Sequence, residues 1–286
     1  MTWKRVATAA VLIPFVIALV LFTPTYVVAI ATAAITILAL REYFFLGDAI
    51  GHRAYRLWTI TCALLLAYTQ WLASSIGGSD RIYFLFGWPL YQVPSGLWIL
   101  FLFVMGITAL TLWTRRPLVE ALPSAGISSS ALLLVVFPLS YAIPLHGFGR
   151  LGPRLLLFAL AITWAADTTA YFVGRAFGKH PLAPHISPKK TWEGSLGSMI
   201  GSLLVAYVFS FWILIPLMHL LIMAVLGNIA GQMGDLLESA YKRSAGVKDS
   251  GGLLPGHGGV LDRIDALIVC IPVVWYYLVL VNPKVL

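Results

Sequence analysis

Charged residues are scarce in this sequence. They make up only 10% of its 286 residues, 60% are hydrophobic and the mean hydropathy is +0.90. Soluble domains usually contain about 25% charged residues. A chain with so few polar side chains could not cover a folded surface in water, so a soluble protein is close to excluded and an integral membrane protein is expected.

Cysteine is also rare. The two cysteines, Cys62 and Cys270, both fall inside apolar runs. This placement indicates small buried side chains rather than a disulfide or a metal pair. Internal repeats, low-complexity segments and an appended soluble domain are not visible.

Long hydrophobic runs are abundant. A helix needs about 20 mostly apolar residues to cross a bilayer. The sequence therefore predicts an all-α polytopic bundle of about nine transmembrane helices, near residues 6–23, 25–46, 56–75, 93–113, 127–145, 153–175, 193–214, 217–240 and 263–281. Lys4 and Arg5 precede the first run as in a secretory signal, but a second span follows at once without a convincing cleavage site, so we expect a helix there.

The basic residues predict the orientation of these helices. With a cytoplasmic N-terminus, fifteen of the 19 basic residues fall in cytoplasmic connections, and the others are Arg81, Arg150, Arg154 and Lys284. This asymmetry follows the positive-inside rule and favours an odd number of spans. The net charge of +8 then reflects topology and attraction to anionic lipid or phosphate, and does not indicate nucleic-acid binding.

The two halves of the chain differ in their acidic residues. Four of the 11 belong to residues 1–150 and lie at span ends or in loops: Glu42, Asp48, Asp80 and Glu120. We interpret them as solvated surface charges, and this half as a scaffold that contacts lipid and supports dimerisation. The other acidic residues belong to residues 151–286, which we expect to form the catalytic part with a site facing the cytoplasm.

An aspartate lies inside the sixth predicted span. Asp167 would be costly there unless it were paired or hydrated. Tyr171, four residues later, shares its helical face, and Gly174 and Gly178 continue the same stripe. The pattern favours a polar cavity open to the cytoplasm over the alternative, a structural aspartate hydrogen-bonded to a neighbouring helix.

A Ser-Pro-Lys-Lys segment precedes the seventh span. Ser187 and the proline interrupt the chain, and Thr191 can cap the helix that follows. Lys189 and Lys190 would bind a phosphate near that helix N-terminus, unless they are only the positive charges of a cytoplasmic loop. Glu193 begins the helix. A spacing of four residues also puts three small residues on one face for close packing: Gly194, Ser198 and Ser202.

Glycines and charged residues share a face of the eighth span. Gly227, Gly231 and Asp235 are spaced four apart, Glu238 follows three residues later and Lys242 four beyond that. Two glycines at this spacing usually indicate only helix packing. Carboxylates that extend the same face indicate a site as well.

The strongest cluster lies within residues 239–265. Asp262 and Asp265 are three residues apart and share a face at the start of the last helix, a spacing that suits Mg²⁺. The glycines around His257 let the backbone approach a ligand. We interpret His257 as a phosphate or pyrophosphate contact, with an ordinary surface histidine as the alternative. The basic residues that could hold further phosphate oxygens are Lys242, Arg243, Lys248 and Arg263.

Residues 239–265 resemble the signature of the phosphatidate cytidylyltransferase family. The shared pattern is Ser-x-x-Lys-Arg, then Lys-Asp, then His-Gly-Gly-x-x-Asp-Arg-x-Asp. Residues 167–175 and 187–194 are similar to two further motifs of that family. The N-terminal half matches only as a set of spans.

This resemblance implies an enzyme that transfers CMP from CTP to phosphatidic acid with Mg²⁺, as a nine-span homodimer among membrane lipids. The compact length without a targeting extension favours a bacterial inner membrane. The resemblance implies Asp235, Asp262 and Asp265 as metal ligands, K⁺ as a candidate second ion, and Lys242 and Arg263 as further catalytic residues. The remaining substrate-binding candidates are Asp167, Tyr171, Ser187, Lys189, Lys190, Glu193, Glu238, Ser239, Arg243, Lys248, Asp249 and His257.

The sequence also bears on three alternatives to this function. A transporter would distribute polar residues through both halves. Lipid transferases with Asp-Gly-x-x-Ala-Arg or Asp-Asp-x-x-Asp patterns do not match, because neither pattern is present. A cytidylyltransferase acting on another membrane lipid phosphate is the nearest alternative.

Overall fold

The structure, a computed structural model, describes residues 2–76, 83–85, 88–90, 95–114, 117–252 and 258–281. Its α-helices are α1 (Thr2–Phe22), α2 (Thr25–Ala49), α3 (Arg56–Ile76), α4 (Ser95–Trp113), α5 (Ala121–Ala131), α6 (Phe137–Ser140), α7 (Ala142–His146), α8 (Gly152–Phe177), α9 (Trp192–Ser210), α10 (Leu217–Ser244) and α11 (Leu261–Val281). Two antiparallel hairpins join some of them, β1 (Tyr83–Leu85) with β2 (Trp88–Leu90), and β3 (Pro181–Ala183) with β4 (Ser187–Thr191).

The all-α membrane fold is confirmed. Among the described residues, eight helical segments are long and apolar enough to cross a bilayer. The first predicted span, near residues 6–23, coincides with α1, whose apolar part within the searched residues, Ala10–Phe22, is shorter. Its role as a span therefore stays a prediction.

The fifth span is an interrupted helix. Short 3₁₀ turns flank it at Leu118–Glu120 and Gly149–Leu151, and its middle, Leu132–Val136, forms a π-helix between α5 and α6. Pro138 lies two residues beyond the end of the π-helix. Because proline has no backbone N–H and its ring crowds the preceding turn, it disturbs the regular hydrogen bonding of an α-helix at this point.

Small residues bring α8 and α9 into close contact. A methyl group built on Gly197 would lie 2.6 Å from Val173 Cβ, and one on Gly194 would lie 3.0 Å from the Ala170 carbonyl oxygen. Gly194 is buried, as are Ser198 and Ser202 of the predicted stripe. The predicted close-packing face of α9 is therefore confirmed.

A ladder of polar side chains joins α9 to α10. Asn228 Nδ2 donates to Ser202 Oγ at 2.8 Å, and Gln232 Nε2 donates to Ser198 Oγ at 2.9 Å. Ser195 Oγ donates to Gln232 Oε1 at 2.5 Å. Within a membrane protein such bonds satisfy polar groups that lipid cannot solvate, so they fix the α9–α10 contact.

The glycines of α10 face α11. A methyl group on Gly227 would lie 3.0 Å from Cys270 Sγ, and one on Gly234 would lie 2.6 Å from the Asp265 carbonyl oxygen. The main hydrophobic cluster joins both halves of the chain, because it contains Leu40 as well as Cys270. This packing does not show whether residues 1–150 act as a scaffold and residues 151–286 as the catalytic part, so that division stays a prediction.

Candidate active site

A lysine joins two carboxylates where α10 ends and α11 begins. Lys242 Nζ lies 2.5 Å from Glu238 Oε2, one turn earlier on α10, and 2.5 Å from Asp262 Oδ1 on α11. The three side chains are only 12%, 7% and 9% exposed. Glu238 and Lys242 form an ion pair between side chains four residues apart on α10. A single ammonium group thus lies between two buried carboxylates.

Asp262 is also held by the turn that precedes α11. Gly259 N donates to Asp262 Oδ2 at 2.8 Å, and Ser250 N donates to the same oxygen at 3.2 Å. Gly258, with φ +78°, adopts a backbone conformation that glycine tolerates far better than other residues. A methyl group there would lie 2.8 Å from Asp262 Oδ2. The paired glycines of the motif therefore let the backbone close around this carboxylate.

A second ion pair connects the β3–β4 hairpin to α10. Lys190, on β4, contacts Asp235 on α10, and their side chains are 28% and 29% exposed. Lys190 therefore lies against a carboxylate of the predicted site rather than free in a loop. A phosphate that entered here would meet an ammonium group already in position.

Further carboxylates lie close to these pairs. The charges of Asp235, Glu238 and Asp167 repel that of Asp265, whose Oδ1 accepts a 2.7 Å hydrogen bond from Ala266 N. Asp167 is accessible on α8 and is attracted by Lys190 and Arg263. Three helices, α8, α10 and α11, thus contribute to one concentration of charge, together with Lys190 of the β3–β4 hairpin.

Thr191 and Glu193 organise the start of α9. Thr191 Oγ1 accepts a 3.1 Å hydrogen bond from Gly194 N, which confirms the predicted cap. Glu193 Oε2 accepts from Lys179 N at 3.1 Å, and Glu193 Oε1 lies 2.6 Å from His180 Nδ1. Glu193, a predicted substrate-binding residue, thus ties the end of α8 to the start of α9.

The other predicted residues vary in exposure. Ser187 is half-buried on β4 and Ser239 is buried on α10. Arg243 donates to the carbonyl oxygens of Ile186 and Val247, at 3.4 and 3.3 Å. His257 lies outside the described residues. The predicted residues with exposed side chains are Asp167, Tyr171, Lys189, Arg243, Lys248, Asp249 and Arg263.

The predicted metal ligands do not form a ready-made cluster. Within the described ranges, no group of three or more His, Cys, Asp or Glu side chains is placed to hold a metal ion. Asp235 and Asp262 are instead paired with Lys190 and Lys242. The metal assignment therefore stays a prediction.

One acidic residue was misread from the sequence. Glu42 is not a solvated surface charge, because it is only 4% exposed. Its carboxylate accepts hydrogen bonds from Val260 N and Leu261 N, directly beside Asp262. The signal that could have found it is its position inside a predicted span, near residues 25–46, where a carboxylate needs partners.

The larger of the two described cavities is not at this cluster. It has a volume of about 1070 Å³ and lies beside the α2–α3 connection, lined by Arg53, Arg56 and Trp58 among others. None of the predicted site residues lines it. The second is a crevice of about 30 Å³ that Glu238 and Asp265 help to line. The charge cluster stays the candidate site, because the chemistry of its residues rather than the volume of a cavity decides what a site can do.

A family model and a curated relative each match nearly the whole chain. The model of the cytidylyltransferase family matches residues 3–281. A phosphatidate cytidylyltransferase of Haemophilus influenzae is 35% identical, over 96% of this chain and 97% of the relative. One from Brucella abortus is 36% identical over 77% of this chain and 82% of the relative, and one from Staphylococcus saprophyticus is 49% identical over 42% and 47%.

Proposed function

The chain belongs to the cytidylyltransferase family, and we infer that it transfers CMP from CTP to phosphatidic acid, giving CDP-diacylglycerol and pyrophosphate. The observation that carries this function is the charge cluster of α8, α10 and α11 within a chain that matches phosphatidate cytidylyltransferases over almost its full length. The protein is an integral membrane enzyme.

The reaction is a displacement at phosphorus. A phosphate oxygen of phosphatidic acid attacks the α-phosphorus of CTP and forms the new P–O bond. The bond from the α-phosphorus to the bridging oxygen breaks, and its electron pair leaves with pyrophosphate. The attacking oxygen is already anionic, so the site must position two anions and neutralise charge rather than supply a strong base.

The lysines of the two ion pairs suit that task. Lys242 and Lys190 are held by carboxylates, so their ammonium groups have limited freedom before a substrate arrives. Preorganised cations stabilise developing negative charge without having to reorient during the reaction. We propose that Lys190 and Lys242 bind substrate phosphates, with Arg263 beside Asp167 as a third cation. Candidate outer phosphate contacts are Lys189, Arg243 and Lys248.

We further propose that Asp235, Asp262 and Asp265 hold Mg²⁺, with K⁺ as a candidate second ion. Carboxylate oxygens are the ligands that Mg²⁺ prefers, and it usually shares a few of them with substrate phosphates. All three side chains are carboxylates, and a cation beside Asp265 would offset the repulsion from the charges of Asp235, Glu238 and Asp167. The bound ion would neutralise charge on the phosphate oxygens.

The location of the site is proposed as the cytoplasmic face of a bacterial inner membrane. The argument is the asymmetry of basic residues, because Lys190, Lys242 and Arg263 all belong to the group assigned to the cytoplasm. CTP is water-soluble and phosphatidic acid is held in the bilayer, so a site at helix ends meets both. Association as a homodimer is proposed on the family resemblance alone.

The test uses purified protein in detergent with CTP labelled at the α-phosphate, phosphatidic acid and Mg²⁺. We expect label to enter the lipid phase with the wild type, and to be lost with EDTA or with Asp265→Ala. The matched control is Asp48→Ala, because Asp48 pairs with Arg56 on an exposed surface and should leave transfer unchanged. A well-folded wild type that labels no phosphatidic acid would contradict the function.

A further inference from the structure

Glu42 links the N-terminal half of the chain to the start of α11. Its Oε1 accepts a hydrogen bond from Val260 N at 2.9 Å, and its Oε2 accepts one from Leu261 N at 2.7 Å. Amides at the start of a helix have no partner within the helix. The carboxylate satisfies two of them, and its negative charge faces the positive end of the helix dipole.

The same carboxylate holds the turn that binds Asp262. Ser250 Oγ donates to Glu42 Oε2 at 3.2 Å, and Ser250 is fully buried. The backbone N–H groups of Ser250 and Gly259 in turn donate to Asp262, which contacts Lys242. A continuous chain of contacts therefore runs from Glu42 to the proposed phosphate-binding lysine.

Two glycines make room for this arrangement. A methyl group on Gly251 would lie 2.7 Å from Glu42 Oε1, and one on Gly259 would collide with the Glu42 carboxylate and the Ser250 hydroxyl. The turn therefore encloses the carboxylate on two sides. The Glu42 carboxylate therefore packs directly against the backbone of Gly251 and Gly259.

We propose that Glu42 is a positioning residue for the active site. It fixes the first turn of α11, and so sets where Asp262 and Lys242 stand relative to the substrates. It does not itself touch them. The kinetic test of this inference rests on the proposed function. Amide hydrogen exchange tests it independently of activity.

The decisive variant is Glu42→Gln, which keeps the size of the side chain but removes its charge and replaces one acceptor oxygen with an amide donor. Ser250→Ala is a milder second variant, because it removes only the hydroxyl link. Glu120→Gln is the matched control, since Glu120 pairs with His52 away from this turn. Each protein is assayed for kcat and for KM with CTP, and for amide hydrogen exchange over residues 258–263.

We expect Glu42→Gln to lower kcat at least tenfold, about 1.4 kcal/mol in the barrier, with little change in KM. The amides of Val260 and Leu261 should exchange faster, while those of α8 keep their protection. Ser250→Ala should shift both readouts in the same direction by less, and Glu42→Asp, which keeps the charge with a shorter reach, should recover part of kcat. Glu120→Gln should match the wild type.

Several outcomes would overturn the proposal. Full kcat in Glu42→Gln would do so, as would a loss of kcat that only matches a loss of folded protein. If Glu42→Gln does not fold, the wild type and Ser250→Ala decide: rapid exchange of Val260 and Leu261 in the wild type, or an unchanged Ser250→Ala, would refute it. A wild type that makes no CDP-diacylglycerol but shows the exchange effect in Glu42→Gln would refute the proposed function instead.

Discussion

Replacing Lys242 with methionine should separate the contribution of this residue to stability from its contribution to catalysis. The substitution keeps a long, flexible side chain but removes the cation between Glu238 and Asp262. Both carboxylates are less than a tenth exposed, at 7% and 9%. Removing one partner of a buried ion pair costs about 3–5 kcal/mol, because the other charge is left buried without compensation.

An exposed ion pair supplies the matched control. Arg56 contacts Asp48, and these side chains are 47% and 37% exposed. Such pairs contribute about 0–1 kcal/mol, so Arg56→Met should change the free energy of unfolding little. Both variants lose one positive charge, so the difference between their free energies of unfolding reports the effect of burying the ion pair.

A double variant then distinguishes stability from activity. Lys242→Met with Glu238→Gln removes one of the two stranded carboxylates, so it should regain part of the lost free energy of unfolding. Its kcat should remain about 100- to 1000-fold below the wild type, as when a preorganised charge-stabilising donor is removed. Unfolding is followed in mixed detergent micelles, and transfer with α-labelled CTP. A Lys242→Met enzyme with normal kcat would refute the assigned role, and equal destabilisation of both single variants would refute the role of burial.

Two further substitutions test the local geometry. Gly258→Ala should lower the free energy of unfolding by about 1–3 kcal/mol, because residue 258 has a positive φ. It should also lower kcat by up to about 100-fold by displacing Asp262. Gly252→Ala is the control, because there is open space around Gly252, and it should have little effect on melting temperature or kcat. Thr191→Ala should lower the free energy of unfolding by about 1 kcal/mol through loss of the α9 cap, measured in mixed micelles, and a variant as stable as the wild type would contradict the capping role.

Local sequence patterns predicted the parts of the fold that depend on near neighbours. Hydropathy identified the spans, because crossing a bilayer requires a long apolar helix whatever its neighbours are. Thr191 was recognised as a cap from its place after Ser-Pro, and the Gly194 stripe from its spacing. These features depend on interactions within a few residues or on one helix face.

Contacts between distant segments could not be predicted in this way. Glu42 lies 219 residues from Leu261 in sequence, and nothing in the pattern around either residue indicates the other. Its position inside a predicted span indicates that Glu42 needs partners, but it does not indicate which residues those partners are. The pairing of Lys242 with Asp262 also depends on how α10 meets α11, although both residues were identified as site candidates.

The most direct test of the account follows both ends of CTP in one reaction. The protein is incubated with phosphatidic acid and Mg²⁺, and with CTP labelled either at the α- or at the γ-phosphate. The account predicts α-label in a lipid whose mass is that of CDP-diacylglycerol, and γ-label in water-soluble pyrophosphate in equal amount. Label from the γ-phosphate in the lipid, or hydrolysis of CTP without any labelled lipid, would contradict CMP transfer as the activity of this protein.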